Sequence, residues 1–181
     1  MRTTYTLCAA LSLAAGLAGA AQPLARADAE FLRQAAENHQ AEIEGGKLAL
    51  AKGVNTQVKG FAQQMVDDHT KASEELKALA SAKGLETPAA PSMALKARLD
   101  LLASSDGSSF DRRYADNFGV NAHEGSIRLY QKAAAKAADA DVKAFAAKAL
   151  PTLQTHLQMA IDLRKATRQE GNVKSPKDRK Q

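Results

Sequence analysis

Cysteine, tryptophan and aromatic residues are scarce in this chain. Its 181 residues include one Cys and no Trp, with 4% aromatics, 11 Gly and 5 Pro. A single Cys excludes a disulfide framework, and the shortage of β-branched and aromatic residues argues against a sheet fold. The abundant residue types are Ala, Leu, Lys, Glu and Gln, which are strong helix formers. The composition predicts an all-α protein, and the 45% hydrophobic fraction argues against a mainly disordered chain.

The first 27 residues have the layout of a secretory signal peptide. Arg2 supplies positive charge, residues 7–21 are apolar, and residues 25–27 form an A-x-A cleavage site, with an earlier alternative after Ala20. This apolar stretch is shorter than the roughly 20 residues that a membrane-spanning helix needs. We therefore expect export to a bacterial periplasm, with no membrane span left after cleavage. Cys8 leaves with the segment, which excludes thiolate chemistry in the mature chain.

The net charge of +5 is concentrated near the C-terminus. Residues 28–163 carry 16 basic and 18 acidic side chains, whereas residues 164–181 carry 7 basic and 2 acidic ones. We expect a basic disordered tail over residues 169–181, either simply solvated or in weak contact with an anionic envelope surface. The chain lacks the basic face and motifs of a nucleic-acid-binding module, so no nucleic-acid partner is expected.

Four long helices are predicted in a single bundle domain spanning residues 28–168. They cover about 28–52, 55–83, 107–138 and 139–168, and a short amphipathic helix lies in the connection between the second and the third. That connection has roughly 24 residues, enough to run the length of a 30-residue helix of about 45 Å. The pattern predicts a ferritin-like four-helix bundle with one long crossover containing a short helix between helices 2 and 3. An up-down bundle with a bulky loop is the alternative.

Two features interrupt the predicted helices. Gly45 and Gly46 lie inside the first helix, where each glycine costs about 1 kcal/mol relative to Ala. This cost is tolerable if a neighbouring helix approaches closely at that level. Pro151 removes a backbone hydrogen bond from the fourth helix, which predicts a kink before His156.

One histidine lies on the apolar seam of each long helix. The seams follow the alternating spacing of four and three residues that is typical of a bundle core, as in Val58, Ala62, Met65, His69, Ala72, Leu76 and Leu79. The four histidines, each near the middle of its helix, are His39, His69, His123 and His156. Antiparallel packing with axes 8–10 Å apart would bring these imidazoles to one level of the core.

These four histidines, together with Glu42 one turn after His39, form a candidate transition-metal site. Imidazole is a common ligand for copper, zinc and iron. Met65 and Met159 each lie about one turn from a histidine, and thioethers beside imidazoles favour copper, although Met also fills gaps in cores. Asp68 is next to a seam position in the chain, so it should point about 100° away from the core.

Two alternatives to a metal site stay open. The histidines can be hydrogen-bonded core residues of a structural or interaction module that holds no metal. Two facing histidines can also hold a b-type haem, although the few aromatic residues and small seam side chains do not favour this.

Three strings carry a family resemblance: FAQQMVDDHTKASEELKALASAKG, FDRRYADNFGVNAHEGSIRLYQKAA and VKAFAAKALPTLQTHLQMA. From about Asp28 to Leu163 the chain resembles the domain-of-unknown-function family numbered 4142. That family comprises exported bacterial proteins with a ferritin-like four-helix fold, often labelled membrane proteins. The resemblance implies a periplasmic or outer-membrane-associated bundle, and His39 falls outside the family pattern. It also implies that the motif residues here are Glu42, Asp68, His69, Asp111, His123, Pro151 and His156.

Catalytic motifs are missing from the chain. The di-iron set of ferritins needs Glu-x-x-His on two helices, but Val66, Val120 and Leu153 stand three residues before the last three histidines. Neither an H-E-x-x-H string nor a Gly-rich phosphate loop is present. We therefore expect a non-enzymatic exported bundle that binds copper, zinc or iron and serves in metal handling or stress tolerance.

Overall fold

The computed structural model describes residues 24–172, with side chains up to residue 169. Every regular element in this range is helical, which confirms the all-α prediction. In chain order the elements are α1 (Arg26–Lys52), α2 (Thr56–Ala82), α3 (Met93–Ala103), α4 (Gly107–Tyr114), a π-helical segment (Ala115–Asn121), α5 (Ala122–Lys136) and α6 (Ala140–Asn172).

Four rods build the bundle: α1, α2, α6 and a third rod made of α4, the π-helical segment and α5. At one end, Lys83 after α2 pairs with Asp139 before α6 at 2.8 Å. At the other end, Lys52 of α1 pairs with Asp106 before α4 at 2.9 Å. These pairs make α2 antiparallel to α6 and α1 antiparallel to the third rod. Because short turns join α1 to α2 and α5 to α6, those rods are antiparallel as well.

The connection between α2 and α4 runs the length of the bundle, because α2 ends where α6 begins and α4 begins at the opposite end. Helix α3 lies on this path and packs against α1 and α4. Its Leu99 and Leu102 are buried in the same apolar cluster as Phe110. This confirms the predicted four-helix bundle with a long crossover that contains a short helix.

Two buried carboxylates tie the tight turns to the opposite helical hairpin. Asp111 of α4 accepts hydrogen bonds from backbone N–H groups of the turn 53–55, the shortest at 2.9 Å. Asp28 of α1 accepts from the turn 137–139 at 3.0 and 2.8 Å. The sequence predicts that the first helix begins at about residue 28, but α1 begins two residues earlier, at Arg26. The carboxylate of Asp28 therefore faces the bundle end and satisfies the turn.

The third rod differs from the single α-helix expected over 107–138, because it contains the π-helical segment. The N–H of Ala122 donates to the carbonyl of Asn117, five residues back, which is the π-type hydrogen bond. Gly119 lies in this segment and lets α6 approach closely. A Cβ on Gly119 would lie 3.1 Å from the Cβ of Ala160. Single π turns inside α-helices are frequent at functional sites.

Gly45 and Gly46 mark the close approach that the sequence suggests. A Cβ on Gly45 would lie 2.8 Å from the ring of Phe118 in the π-helical segment. A Cβ on Gly46 would lie 2.7 Å from a methyl group of Val66 and 3.0 Å from the carbonyl oxygen of Ala62, both on α2. The two glycines thus allow α1 to pack tightly against α2 and the third rod. Pro151 lies inside α6 without ending that helix.

Some predictions fall outside the described residues. These are the signal segment over residues 1–23, including the cleavage site after Ala20, and the last nine residues of the expected tail. Helix α6 continues to Asn172, four residues into the predicted tail. Within residues 24–172, no helix is long and apolar enough to cross a membrane.

We predict that Gly46→Ala destabilises the protein, whereas Gly60→Ala, also within a helix, stabilises it. Both changes gain about 1 kcal/mol of helix propensity, but a Cβ on Gly60 meets nothing within 4 Å. Because the Ala62 carbonyl belongs to the backbone and cannot turn aside, the overpacking in Gly46→Ala should cost about 1–3 kcal/mol. After the gain in helix propensity, the net loss should be up to about 2 kcal/mol. Chemical denaturation of both variants measures the difference. Equal stabilities would contradict the close packing of α1 on α2.

Candidate metal centre

All four histidines lie in the core, one from each rod, as the seams predict. Their exposed fractions are 5% for His39, 4% for His69, 1% for His123 and 2% for His156. Histidine is rarely excluded from water to this degree. Four such residues at one level therefore demand partners for their ring nitrogens.

Three of these imidazoles form a nearly regular triangle. The ring centroids of His69, His123 and His156 are separated by 5.6, 5.5 and 5.4 Å. One ring nitrogen of each lies within 4.8 Å of the nitrogens offered by the other two. We call this group the histidine triangle. The structure thus brings together three of the five predicted ligands, one each from α2, α5 and α6.

The backbone of the π-helical segment fixes the orientation of His123. The Nδ1 atom of His123 lies 2.7 Å from the carbonyl oxygen of Gly119. A carbonyl can only accept a hydrogen bond, so Nδ1 carries the proton and donates. In the neutral ring, the lone pair is then on Nε2, the nitrogen that a metal would bind.

A carboxylate outside the triangle fixes the orientation of His156. The Nε2 atom of His156 donates to Oδ2 of Asp68 at 2.9 Å, across the boundary between α6 and α2. Asp68 is partly exposed, with 41% of its side chain accessible. As the sequence predicts, Asp68 does not share the inward direction of His69, and this sideways direction is what lets it reach α6. Nδ1 of His156 is left as the inward nitrogen.

His69 is held by the fourth histidine. The Nδ1 atoms of His69 and His39 lie 2.9 Å apart, and Nε2 of His39 lies 2.9 Å from the hydroxyl oxygen of Tyr130. When His69 donates to His39, the remaining proton of His39 is on Nε2 and is donated to Tyr130. This arrangement leaves the lone pair of His69 on Nε2. Both nitrogens of His39 are already engaged, so its place is beside the triangle.

The inward nitrogens of the triangle have no hydrogen-bond partner among the described residues. These three buried atoms are Nε2 of His69, Nε2 of His123 and Nδ1 of His156. An unpartnered polar atom in a core costs roughly 1–3 kcal/mol. Three such atoms that face one another are the donor set of a metal ion. Metal–nitrogen bonds of 2.0–2.1 Å require nitrogens about 3.4 Å apart in a tetrahedral site. Because the nitrogens lie within 4.8 Å of one another, each pair would have to close by at most about 1.4 Å.

Burial keeps the imidazoles of His39, His69 and His123 neutral. It lowers the pKa of His39 to about 4, and it lowers the pKa of His123 to about 4 against the opposing effect of the Gly119 hydrogen bond. The pKa of His69 is well below its ordinary value, because of burial first and neighbouring histidines second. Near pH 7 these lone pairs are therefore free of competing protons.

Glu42, the fifth predicted ligand, lies apart from the triangle. Its side chain is buried, and its Oε2 atom has no hydrogen-bond partner among the described residues. Burial raises the pKa of this carboxyl well above the usual range. Its charge in turn helps to raise the pKa of Tyr114, although burial is the larger cause. Within residues 24–169, the group of mutually close ligand atoms contains the three histidines and not Glu42.

Sequence reasoning did not identify the outer partners of the triangle. In the sequence, Tyr130 has only the spacing of a core seam residue. Nothing in the sequence indicates that the carbonyl of Gly119 turns toward an imidazole. Asp68 had a signal, because the resemblance places it in the family motif next to His69. A carboxylate that faces a helix boundary is a candidate partner for a histidine on the adjacent helix.

The fold and the site define a class: a helical bundle that encloses a triangle of histidines with inward-facing nitrogens. The sequence profile of the family described as Domain of unknown function (DUF4142) matches residues 14–163. The chain belongs to this family, which confirms the resemblance found in its sequence. No curated protein matches the chain.

Several solved structures share the fold at low sequence identity. A DUF305 fragment from Deinococcus radiodurans has a TM-score of 0.70 at 13% identity, covering 80% of this chain and 99% of its own. A DUF305 protein from Streptomyces coelicolor has a TM-score of 0.65 at 16% identity, with coverages of 78% and 93%. CopM in its Cu(I)-bound form has a TM-score of 0.64 at 15% identity, with coverages of 77% and 96%.

We predict that the metal-free protein loses stability as the pH falls from 6.5 to about 4. The lowered pKa values mean that the unfolded chain binds more protons than the folded protein in this window. Each such histidine should contribute roughly 1.4 kcal/mol per pH unit. Glu42 acts in the opposite direction. Because its pKa is raised in the folded protein, the folded state binds this proton at a higher pH than the unfolded chain does, and this group adds stability as the pH falls toward 4.5.

Urea denaturation at a series of pH values measures this dependence. His39→Gln should make the slope of unfolding free energy against pH shallower by about one proton, and Glu42→Gln should make it steeper. A wild-type slope near zero between pH 6.5 and 4.5 would show that the histidines are not buried in their neutral form.

Proposed function

We propose that this protein binds one copper ion, as Cu(I), in the histidine triangle and serves in metal handling or copper tolerance. The observation that carries the proposal is the set of three buried, unpartnered nitrogens on His69, His123 and His156. Each of these rings has its other nitrogen within hydrogen-bond distance of a fixed group. Such outer partners orient metal-binding imidazoles and set their tautomers.

Charge favours a monovalent ion. The triangle offers three imidazole nitrogens as ligand atoms, and no carboxylate among the described residues belongs to the group. The cost of burying an ion scales with the square of its charge, so a divalent ion costs about four times as much as a monovalent one. A zinc ion in the triangle would need a water as its fourth ligand, because zinc prefers four. The buried Met65, one turn before His69, adds a soft side chain to the same helix face.

We assign different roles to the two other predicted ligands. His39 acts as the hydrogen-bond partner that orients His69, because both of its own nitrogens are engaged. Glu42 lies outside the triangle as a buried carboxyl with a raised pKa. Neither binds the ion directly in this proposal. The b-type haem considered from the sequence has less support, since the triangle groups three nitrogens from three rods rather than two facing ones.

Two similarities support a role in the cell envelope. The N-terminal segment has the pattern of a signal peptide, and the Streptomyces coelicolor structure is named as a candidate secreted protein. CopM, which shares the fold, is known in a Cu(I)-bound form. We propose export to the periplasm, with a non-enzymatic role in holding copper.

An anaerobic titration with Cu(I) in competition with a chromogenic chelator tests the proposal. We predict one ion per chain and a rise in melting temperature with free metal concentration, since binding to the folded state alone stabilises it. The variants His69→Gln, His123→Gln and His156→Gln should each lose most of the affinity. Glu124→Gln, which changes an exposed carboxylate next to His123, should bind as the wild type does.

The outcome decides between the metal site and the structural alternative. A wild-type protein that binds no Cu(I), and melts at the same temperature with and without it, would make the histidines hydrogen-bonded core residues of an interaction module. Tighter binding of Zn(II) than of Cu(I) would contradict the choice of a monovalent ion.

We predict that His39→Gln keeps the stoichiometry of one ion but weakens affinity by about 10–100-fold, the usual cost of removing an outer partner. Glutamine can still hydrogen-bond to His69 but cannot pass the bond on to Tyr130 in the same geometry. Loss of binding as complete as in His69→Gln would instead make His39 a ligand. The same titration measures both variants.

A further inference from the structure

A cavity of about 260 Å³ opens between α2 and α6 and reaches one edge of the histidine triangle. His69 and His156 line its inner part, with His39 and Tyr130 beside them, whereas His123 is not among its lining residues. The cavity therefore approaches the triangle between two of its three members. A second cavity of about 110 Å³ lies beside Glu42 and Phe118, and it is lined by none of the four histidines.

Small side chains and a weak ion pair form the outer part of the larger cavity. Ala72 on α2 and Ala149 on α6 are only partly buried there. Lys148 of α6 pairs with Glu75 of α2 at 2.9 Å across the mouth, with 74% and 40% of their side chains exposed. An exposed pair of this kind contributes about 0–1 kcal/mol. This ion pair can therefore break without disturbing the bundle.

We propose that this cavity is the exchange port of the copper site, used by a small monodentate donor of the thiolate or imidazole class. The inference rests on the proposed Cu(I) site. The donor enters between α2 and α6 and bonds to the ion along the edge formed by His69 and His156. A three-coordinate ion accepts such a ligand without losing one first.

The step is a ligand substitution with no change of oxidation state. The donor–copper bond forms, and the bonds from copper to the three imidazoles then break in turn. When the donor is a thiol, its proton passes to the buffer as the sulfur bonds to copper. The imidazoles keep the protons on their outer nitrogens, which are held by Asp68, Gly119 and His39. The protein thus returns to its starting state.

Stopped-flow transfer of copper from the loaded full chain to cysteine tests the port. For the wild type we expect a rate that rises in proportion to cysteine concentration. Ala149→Phe should slow the transfer by tenfold or more by filling the cavity, while the equilibrium affinity for Cu(I) changes less than threefold. Ala134→Phe is the matched control, since Ala134, like Ala149, is partly buried against the apolar cluster that contains Tyr130, but it does not line the cavity.

A second pair of variants tests the mouth without touching the core. Lys148→Ala removes the side chain that crosses the opening and should speed transfer severalfold. Lys143→Ala, an exposed change on the same helix away from the cavity, should leave the rate unchanged. If Ala149→Phe fails to fold, this pair still decides the question.

Each outcome bears on the proposal. Normal equilibrium binding with equal transfer rates in all variants would overturn the port and leave the copper site standing. A transfer rate independent of cysteine concentration would also overturn it, because the ion would then leave before the donor arrives. A wild-type chain that binds no Cu(I) would overturn the site and the port together.

Discussion

The hydrogen bond on the outer nitrogen of each triangle histidine is the interaction on which the site depends. An imidazole buried in an apolar core must place its proton somewhere, and that choice decides which nitrogen can bind a metal. Here the proton is fixed by a backbone carbonyl for His123 and by a carboxylate for His156. For His69 it depends on a second imidazole. Three chemically different groups thus produce the same result: lone pairs that face one another at the centre of the bundle.

The bundle places these outer groups by close packing rather than by loops. Glycines bring α1 against α2 and the third rod, and the π-helical segment turns the Gly119 carbonyl toward His123. Asp68 reaches its histidine across the boundary between two rods. A site built on rigid helices is held in position by the whole core. The looser boundary between α2 and α6, where the cavity lies, is the place where small molecules can approach.

Much of the fold and half of the site could be predicted from spacing along the chain. The repeat of four and three residues places His69 and its three counterparts on core seams, and the length of the middle connection predicts the crossover. The two glycines of α1 indicated that a neighbouring helix approaches closely at their level. Three of the four contacts around the triangle could not be predicted, because they join residues 30 to 91 positions apart. The fourth, from His123 to Gly119, spans four positions but depends on the π-helical segment. The π-helical segment has no composition that separates it from an α-helix. Whether a carboxylate such as Asp68 faces a neighbouring ring depends on the rotation of two helices relative to each other.

The two carboxylates at the bundle ends make the helical hairpins depend on each other. Asp28 belongs to the first hairpin but completes the turn of the second, and Asp111 of the second completes the turn of the first. Either hairpin alone would leave backbone N–H groups and a carboxylate without partners. Folding should therefore be cooperative across the whole chain, without a stable half-formed bundle. Since the triangle takes one histidine from the first hairpin and two from the second, it exists only once both have assembled, and a half-folded chain would offer no complete site to a metal ion.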